Sequence, residues 1–237
     1  MTIERIIAIE TSCRRGSVAL GRGDDLIATA SFSADMQHAR ELLPTVARLC
    51  DEQGWPPDRL DACFLSIGPG SFTGLRVGVT FARHLALAVG VRLCAVPTLD
   101  VIAANCTELD PPPPRLAVIL DAKRGQVYAS VFQYDDGRYA ACGDAAVVNP
   151  TELFTSTPGP LAVTGEGVDR HREAVESAGA TVIDAAMWMP LATRVLQLGR
   201  ALSRRGAWTL PRDLIPHYLR RPEAEEVWER RHSDQLP

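Results

Sequence analysis

The chain has 237 residues, 46% of them hydrophobic, and a formal net charge of −4. That is enough apolar material for one large or two small cores, and it is too acidic for a protein that grips nucleic acid unaided, because neutralising phosphates needs a basic face. Six cysteines form no C-x-x-C pair, so neither a zinc site nor a disulfide framework is signalled.

The opening Met-Thr-Ile-Glu-Arg has no charged-then-apolar leader pattern, and the longest apolar stretch, Val77 to Val91, is interrupted by Arg83 and His84. A cytoplasmic chain with no membrane role is expected. IIAIE, SVALG and LIATASF read as three strands joined by the turns TSCRRG and RGDD, and a helix follows from about residue 35 to 53. Its apolar stripe is Leu42, Leu43, Val46, Leu49 and Cys50, with a kink expected at Pro44. A helical histidine pair for a metal would need a second histidine four residues after His38, and that position is Leu42, so no metal site is expected.

ACFLSI is the next strand, and GPGSFTGLRVG, residues 68 to 78, then opens a helix expected from Phe72 to Val89. A glycine-rich loop between strand and helix is the usual cradle for a phosphate. This one fails the known templates. It has no lysine for a Walker loop, Thr73 where the dinucleotide fingerprint needs its third glycine, and no G-x-S-x-G frame around Ser71. Gly74, Gly78, Ala82, Ala86 and Gly90 recur every fourth residue, leaving one helix face nearly bare so that another backbone can approach. Most of that stripe is expected to pack inside the chain, and part of the remaining apolar surface to serve a partner. VRLCAVP and TLDVIAANC complete the first half.

LDPPPPR, residues 109 to 115, cannot join a helix or a central strand and marks a lobe boundary. The lobes are therefore set at 1–110 and 111–237. The second half opens like the first: LAVILD, the turn AKRG, QVYASVFQY, the turn DDG and a third strand RYAACGDAAVV. In each half an acid ends the first strand (Glu10, Asp121), an Arg-Gly closes the turn, and a double Asp marks the next. Three matches in one order indicate a duplicated meander followed by α/β units. LAVTG is then a short strand, VDRHREAVESAG a helix ended by Gly179, and PLATRVLQLGRALSRRG a helix ended by Gly206. The charged end is expected to be mobile, with Arg220, Arg221, Arg230 and Arg231 interspersed with glutamates on a solvated helix face.

Two lobes of the order β-β-β-α-β-α are the plan of the actin, sugar-kinase and Hsp70 ATPase (ASKHA) superfamily. There the first hairpin of each lobe binds phosphate and the acid ending its first strand directs a magnesium ion or water. Glu10 and Asp121 take those positions, but both turns carry bulky residues where phosphate wants glycine, and two ordinary β-turns explain them equally well.

The stretches AIETSCRRGSVAL, QHARELLP, SIGPGSFTGLRVGVTFARHLA, LDAKRGQVYAS and IPHYLRRPEAEE, in this order over nearly the whole chain, resemble the bacterial TsaB (YeaZ) family. The resemblance implies a two-lobed actin-like subunit with a reduced second lobe, part of the machinery that makes threonylcarbamoyladenosine in tRNA. Its members partner a catalytic paralogue, TsaD, with an ATPase subunit, TsaE; they form similar homodimers when alone. It implies a non-catalytic subunit without cofactors of its own, which meets tRNA mainly through the complex; ATP or ADP is admitted only at the junction with TsaD. Carried onto this chain, the partner surface falls on Leu42, Leu43, Val46, Leu75, Val79 and Arg83, and Glu10, Ser12 and Asp121 form a vestigial nucleotide site. The alternative is a small-molecule kinase with Glu10 and Asp121 on magnesium and Lys123, the only lysine, or Arg15 near phosphate. A peptidase ranks lowest, since the sequence has neither a zinc pair nor a nucleophile-base pattern.

Overall fold

The computed structural model describes residues 4–220; the tail beyond them, with Arg221, Arg230 and Arg231, lies outside the described residues. The first sheet contains β1 (Arg5–Glu10), β2 (Ser17–Arg22), β3 (Asp25–Ser31), β4 (Ala62–Ser66) and β5 (Arg92–Val96), in the order β3-β2-β1-β4-β5. β1 to β3 form an antiparallel meander, and β4 and β5 add in parallel. Parallel addition requires crossovers. These are α1 (His38–Glu52), which continues through Pro44, and α2 (Phe72–Val89).

After α3 (Thr98–Asn105) the second sheet repeats the plan. β6 (Arg115–Asp121), β7 (Val127–Asp135), β8 (Arg138–Ala141), β9 (Ala146–Val148), β10 (Ala162–Thr164) and β11 (Thr181–Val182) give the order β8-β7-β6-β10-β11, with β9 also on β7. Strand directions match the first sheet pair by pair. The duplication expected from three turn motifs therefore extends to the whole strand order. RYAACGDAAVV is two strands rather than one, because the chain bends between Ala141 and Ala146.

Every residue of β1 from Ile6 to Glu10 is buried, the signature of a strand covered on both faces. Ile7 and Ile9 pack with Leu42 and Val46 of α1 and Val79 and Ala82 of α2. Ile6 and Ala8 point the other way, to Phe64, Val96 and Val101. Each fully buried aliphatic side chain contributes about 1.5–3 kcal/mol. α3 stands between the sheets, giving Val101 to the first and Leu99 and Ile102 to the second. On the outer face of the second sheet lie α4 (Pro150–Ser156), α5 (Gly167–Arg170) and α6 (Arg172–Ser177), whose Phe154, Val168 and Val175 cover Ala117 and Ile119. α5 and α6 replace the single helix expected there, because the backbone breaks at His171 with φ −116° and ψ 26°.

The last helix, α7 (Ala192–Arg204), does not stay with the second sheet. Ala192, Val195 and Leu196 pack on Ile6, Ala8 and Phe64 of the first. A Cβ on Gly199 would lie 2.4 Å from the Phe64 ring, so only glycine allows this approach. Arg200 reaches the Asp25 carbonyl at 2.8 Å, Thr209 bridges Leu93, and the His217 N–H donates to the Ile67 carbonyl at 2.7 Å. The sequence boundary at the prolines thus separates the sheets but not the layers, since residues 192–218 return to the first lobe. The resulting order is helices, sheet, helices, sheet, helices.

Candidate functional site

Glu10 ends β1 wholly buried, and the Ser12 N–H and Ser12 hydroxyl both donate to its Oε1 at 2.5 Å. Burial pushes the Glu10 carboxyl above its ordinary value, and the bonds from Ser12 only partly oppose this. The glycine-rich loop closes onto the same turn. The Ser71 N–H donates to the Ser12 carbonyl at 2.6 Å. A Cβ at Gly70 would lie 2.2 Å from the Ser12 carbonyl oxygen, one at Gly74 2.0 Å from that of Thr11, and one at Gly78 2.5 Å from the Thr11 hydroxyl. The bare stripe of α2 is therefore a seat for the first hairpin turn. Ser71 caps the helix by accepting from the Gly74 N–H at 3.3 Å.

His38 belongs to this seat. Its Nε2–H donates to the Cys13 carbonyl at 2.8 Å, and burial pulls its pKa down, so the ring stays neutral and structural.

The second turn is also held by the chain itself. The Lys123 N–H donates to Asp121 Oδ1 at 3.0 Å, and Arg170 donates to Oδ2 at 2.9 Å. The Arg220 guanidinium donates to the Ala122 carbonyl and the Gln126 side chain. Lys123 and Arg124 take the left-handed conformation at φ 61° and 54°, which favours glycine. Between the lobes, Arg14 of the first turn pairs with Glu166 at 3.7 Å. Among the described residues, no group of three or more His, Cys, Asp or Glu is gathered for a metal.

Four of the six docking residues read from the sequence are buried, although Leu42 also lines the groove between α1 and α2. Leu42, Val46 and Val79 are core residues over the first sheet. Leu75 is 1% exposed and lies under Gly68. On a helix covering a sheet the most apolar stripe turns inward, so the strongest hydrophobes lie mainly on the buried face. Leu43, 63% exposed, and the half-buried Arg83 remain accessible. The outer face between α1 and α2 is instead a groove of about 610 Å³, formed by Leu43, Phe72, Arg76, Val77, Phe81 and His84 among others. Among the described residues, no acidic side chain lines it. Beyond α1 lies a second depression of about 650 Å³, where Arg40 and Arg48 flank Glu41. The Ser33 N–H and hydroxyl occupy that carboxylate and hold its pKa down. Arg76 and Phe72 escaped sequence reasoning, although both stand inside the motif that drew attention.

The family model described as TsaD, tRNA N6-adenosine threonylcarbamoyltransferase, matches residues 32–228. The chain is 30% identical to the tRNA threonylcarbamoyladenosine biosynthesis protein TsaB of Bacillus subtilis (strain 168), over 94% of this chain and 97% of that protein. To the protein of the same description from Escherichia coli (strain K12) it is 28% identical, over 91% and 94%. The solved structure of YeaZ from Pseudomonas aeruginosa superposes with a TM-score of 0.79 at 27% identity, covering 91% of this chain and all of that one. Together with the duplicated strand order, these likenesses show that the chain belongs to the TsaB (YeaZ) family and has its two-lobed actin-like fold.

Proposed function

We propose that this chain serves the biosynthesis of threonylcarbamoyladenosine in tRNA as a non-catalytic subunit, docking on TsaD through the groove between α1 and α2. The pathway rests on the TsaB relatives, and the role within it on the groove, an apolar face left uncovered by the described residues beside the chain's most distinctive motif. TsaE is the third component in this reading, a homodimer forms when TsaD is lacking, and ATP or ADP sits at the TsaD junction.

A kinase would need Glu10 and Asp121 free for magnesium. Glu10 is buried and bound by Ser12, and Asp121 is engaged by Arg170, which favours the subunit reading. Reconstitution by omission tests it: tRNA, ATP, threonine, bicarbonate and the other purified subunits are combined with and without this chain, and modified nucleoside is measured. Product should be lost without the chain and absent from the chain alone. Equal product in both tubes would overturn the proposal. Leu43→Asp should leave the fold intact, since Leu43 faces solvent, and should abolish TsaD binding.

A further inference from the structure

One side chain of the groove is held differently from the rest. The Arg76 guanidinium carbon stands 3.7 Å from the centre of the Phe72 ring, and Nε donates to the Tyr218 hydroxyl at 3.2 Å. The Phe72 and Tyr218 rings themselves lie 4.9 Å apart at their centres. Tyr218 comes from the segment that returns to the first lobe, fastened one residue earlier by the bond from the His217 N–H to the Ile67 carbonyl. A long exposed side chain normally loses rotamer entropy when it binds. Arg76 is already fixed by a ring below and a hydroxyl at Nε, and neither Nη has a hydrogen-bond partner among the described residues. Among the described residues no carboxylate pairs with it, and α2 contains no Asp or Glu at all.

We infer that Arg76 is the carboxylate receptor of the docking groove: the partner is a protein face that presents an Asp or Glu side chain beside apolar groups resting on Leu43 and Phe81. This inference rests on the groove being the TsaD contact and adds what that contact must carry. Two Nη groups in a rigid plane match the two oxygens of a carboxylate, whereas a lysine at this position would offer only a point charge. Aromatic-backed arginines in partly desolvated pockets are the usual anchors of protein interfaces. A second copy of this chain is the poorer occupant, because its equivalent face brings Arg76 and His84 and no free acid from α2. Phe72 and Tyr218 act as positioning residues, through Arg76.

Titration calorimetry of the full chain with purified TsaD tests this, using Arg76→Ala, Arg76→Lys, Tyr218→Phe and Leu43→Asp, with thermal melting as the control for folding. Arg76→Ala should weaken binding by about tenfold or more, and Arg76→Lys should recover little of it. Tyr218→Phe keeps the charge but frees the guanidinium, and should weaken binding by about threefold. Added salt should weaken the wild type more steeply than Arg76→Ala. If Arg76→Ala binds within about twofold of wild type while Leu43→Asp does not bind, the carboxylate receptor is refuted and the docking groove stands. If both bind as wild type, the groove reading itself fails. Should Arg76→Ala lose affinity for tRNA instead, with TsaD affinity unchanged, the clamp serves a nucleotide and the proposal is wrong.

Discussion

Glu10 is a carboxyl that the fold has removed from water and compensated with two bonds from one serine. Because its pKa is raised, the unfolded chain gives up this proton at lower pH than the folded one does. The associated stability is fully present below the ordinary value of 4.5 and is lost as pH rises through the raised value. Glu10→Gln keeps a carbonyl oxygen to accept from the Ser12 N–H and hydroxyl while abolishing the titration. Urea unfolding of this variant between pH 4.5 and 8 should lack the wild-type decline attributable to this group, with stability at pH 8 equal or higher. A decline of the same size in the variant would place its origin elsewhere. Glu10 was legible as the acid ending the first strand. Its burial was not, because the loop that covers it lies some sixty residues further along the chain.

At the scale of elements, α2 carries two incompatible-looking features, glycines that weaken a helix and apolar side chains that bury it. The structure assigns them to different neighbours. Gly74 and Gly78 admit the Thr11 backbone and hydroxyl, while Val79, Ala82 and Ala86 cover the sheet. Alanine normally stabilises a helix interior by about 1 kcal/mol relative to glycine. At Gly74 the new methyl would meet the Thr11 carbonyl oxygen at 2.0 Å, so the sign reverses. We expect Gly74→Ala to lower stability by about 1–3 kcal/mol in denaturant titration, whereas Thr73→Ala on the exposed side should change it by less than about 0.5 kcal/mol. The every-fourth spacing was readable from the sequence; the identity of the backbone that fills the stripe was not.

For the whole molecule, the first sheet is complete only when α7 lies on it. Without that helix, Ile6, Ala8 and Phe64 would face water over a contiguous surface, which a sheet with parallel strands does not tolerate. A chain cut after Met189 should therefore lose cooperative thermal unfolding and aggregate, although the cut falls well past the proline run at residues 111–114. A soluble product with the melting temperature of the full chain would show that α7 is dispensable. Arg220 on the second hairpin turn and Tyr218 beside α2 indicate that this returning segment also connects the second turn with the groove between α1 and α2.

Local pattern was sufficient for the duplicated meander, the acids at Glu10 and Asp121, the span of α2 and the five-stretch family resemblance, because each depends on neighbours within one element or turn. Tertiary structure alone decided that Leu42, Val46, Leu75 and Val79 are core while Leu43 and Arg76 are surface, that α7 belongs to the first sheet, and that Arg170 pairs with Asp121. Hydrophobic periodicity says that a helix has a buried face but not what buries it, and a charge in a sequence has no partner until the chain brings one within a few ångströms.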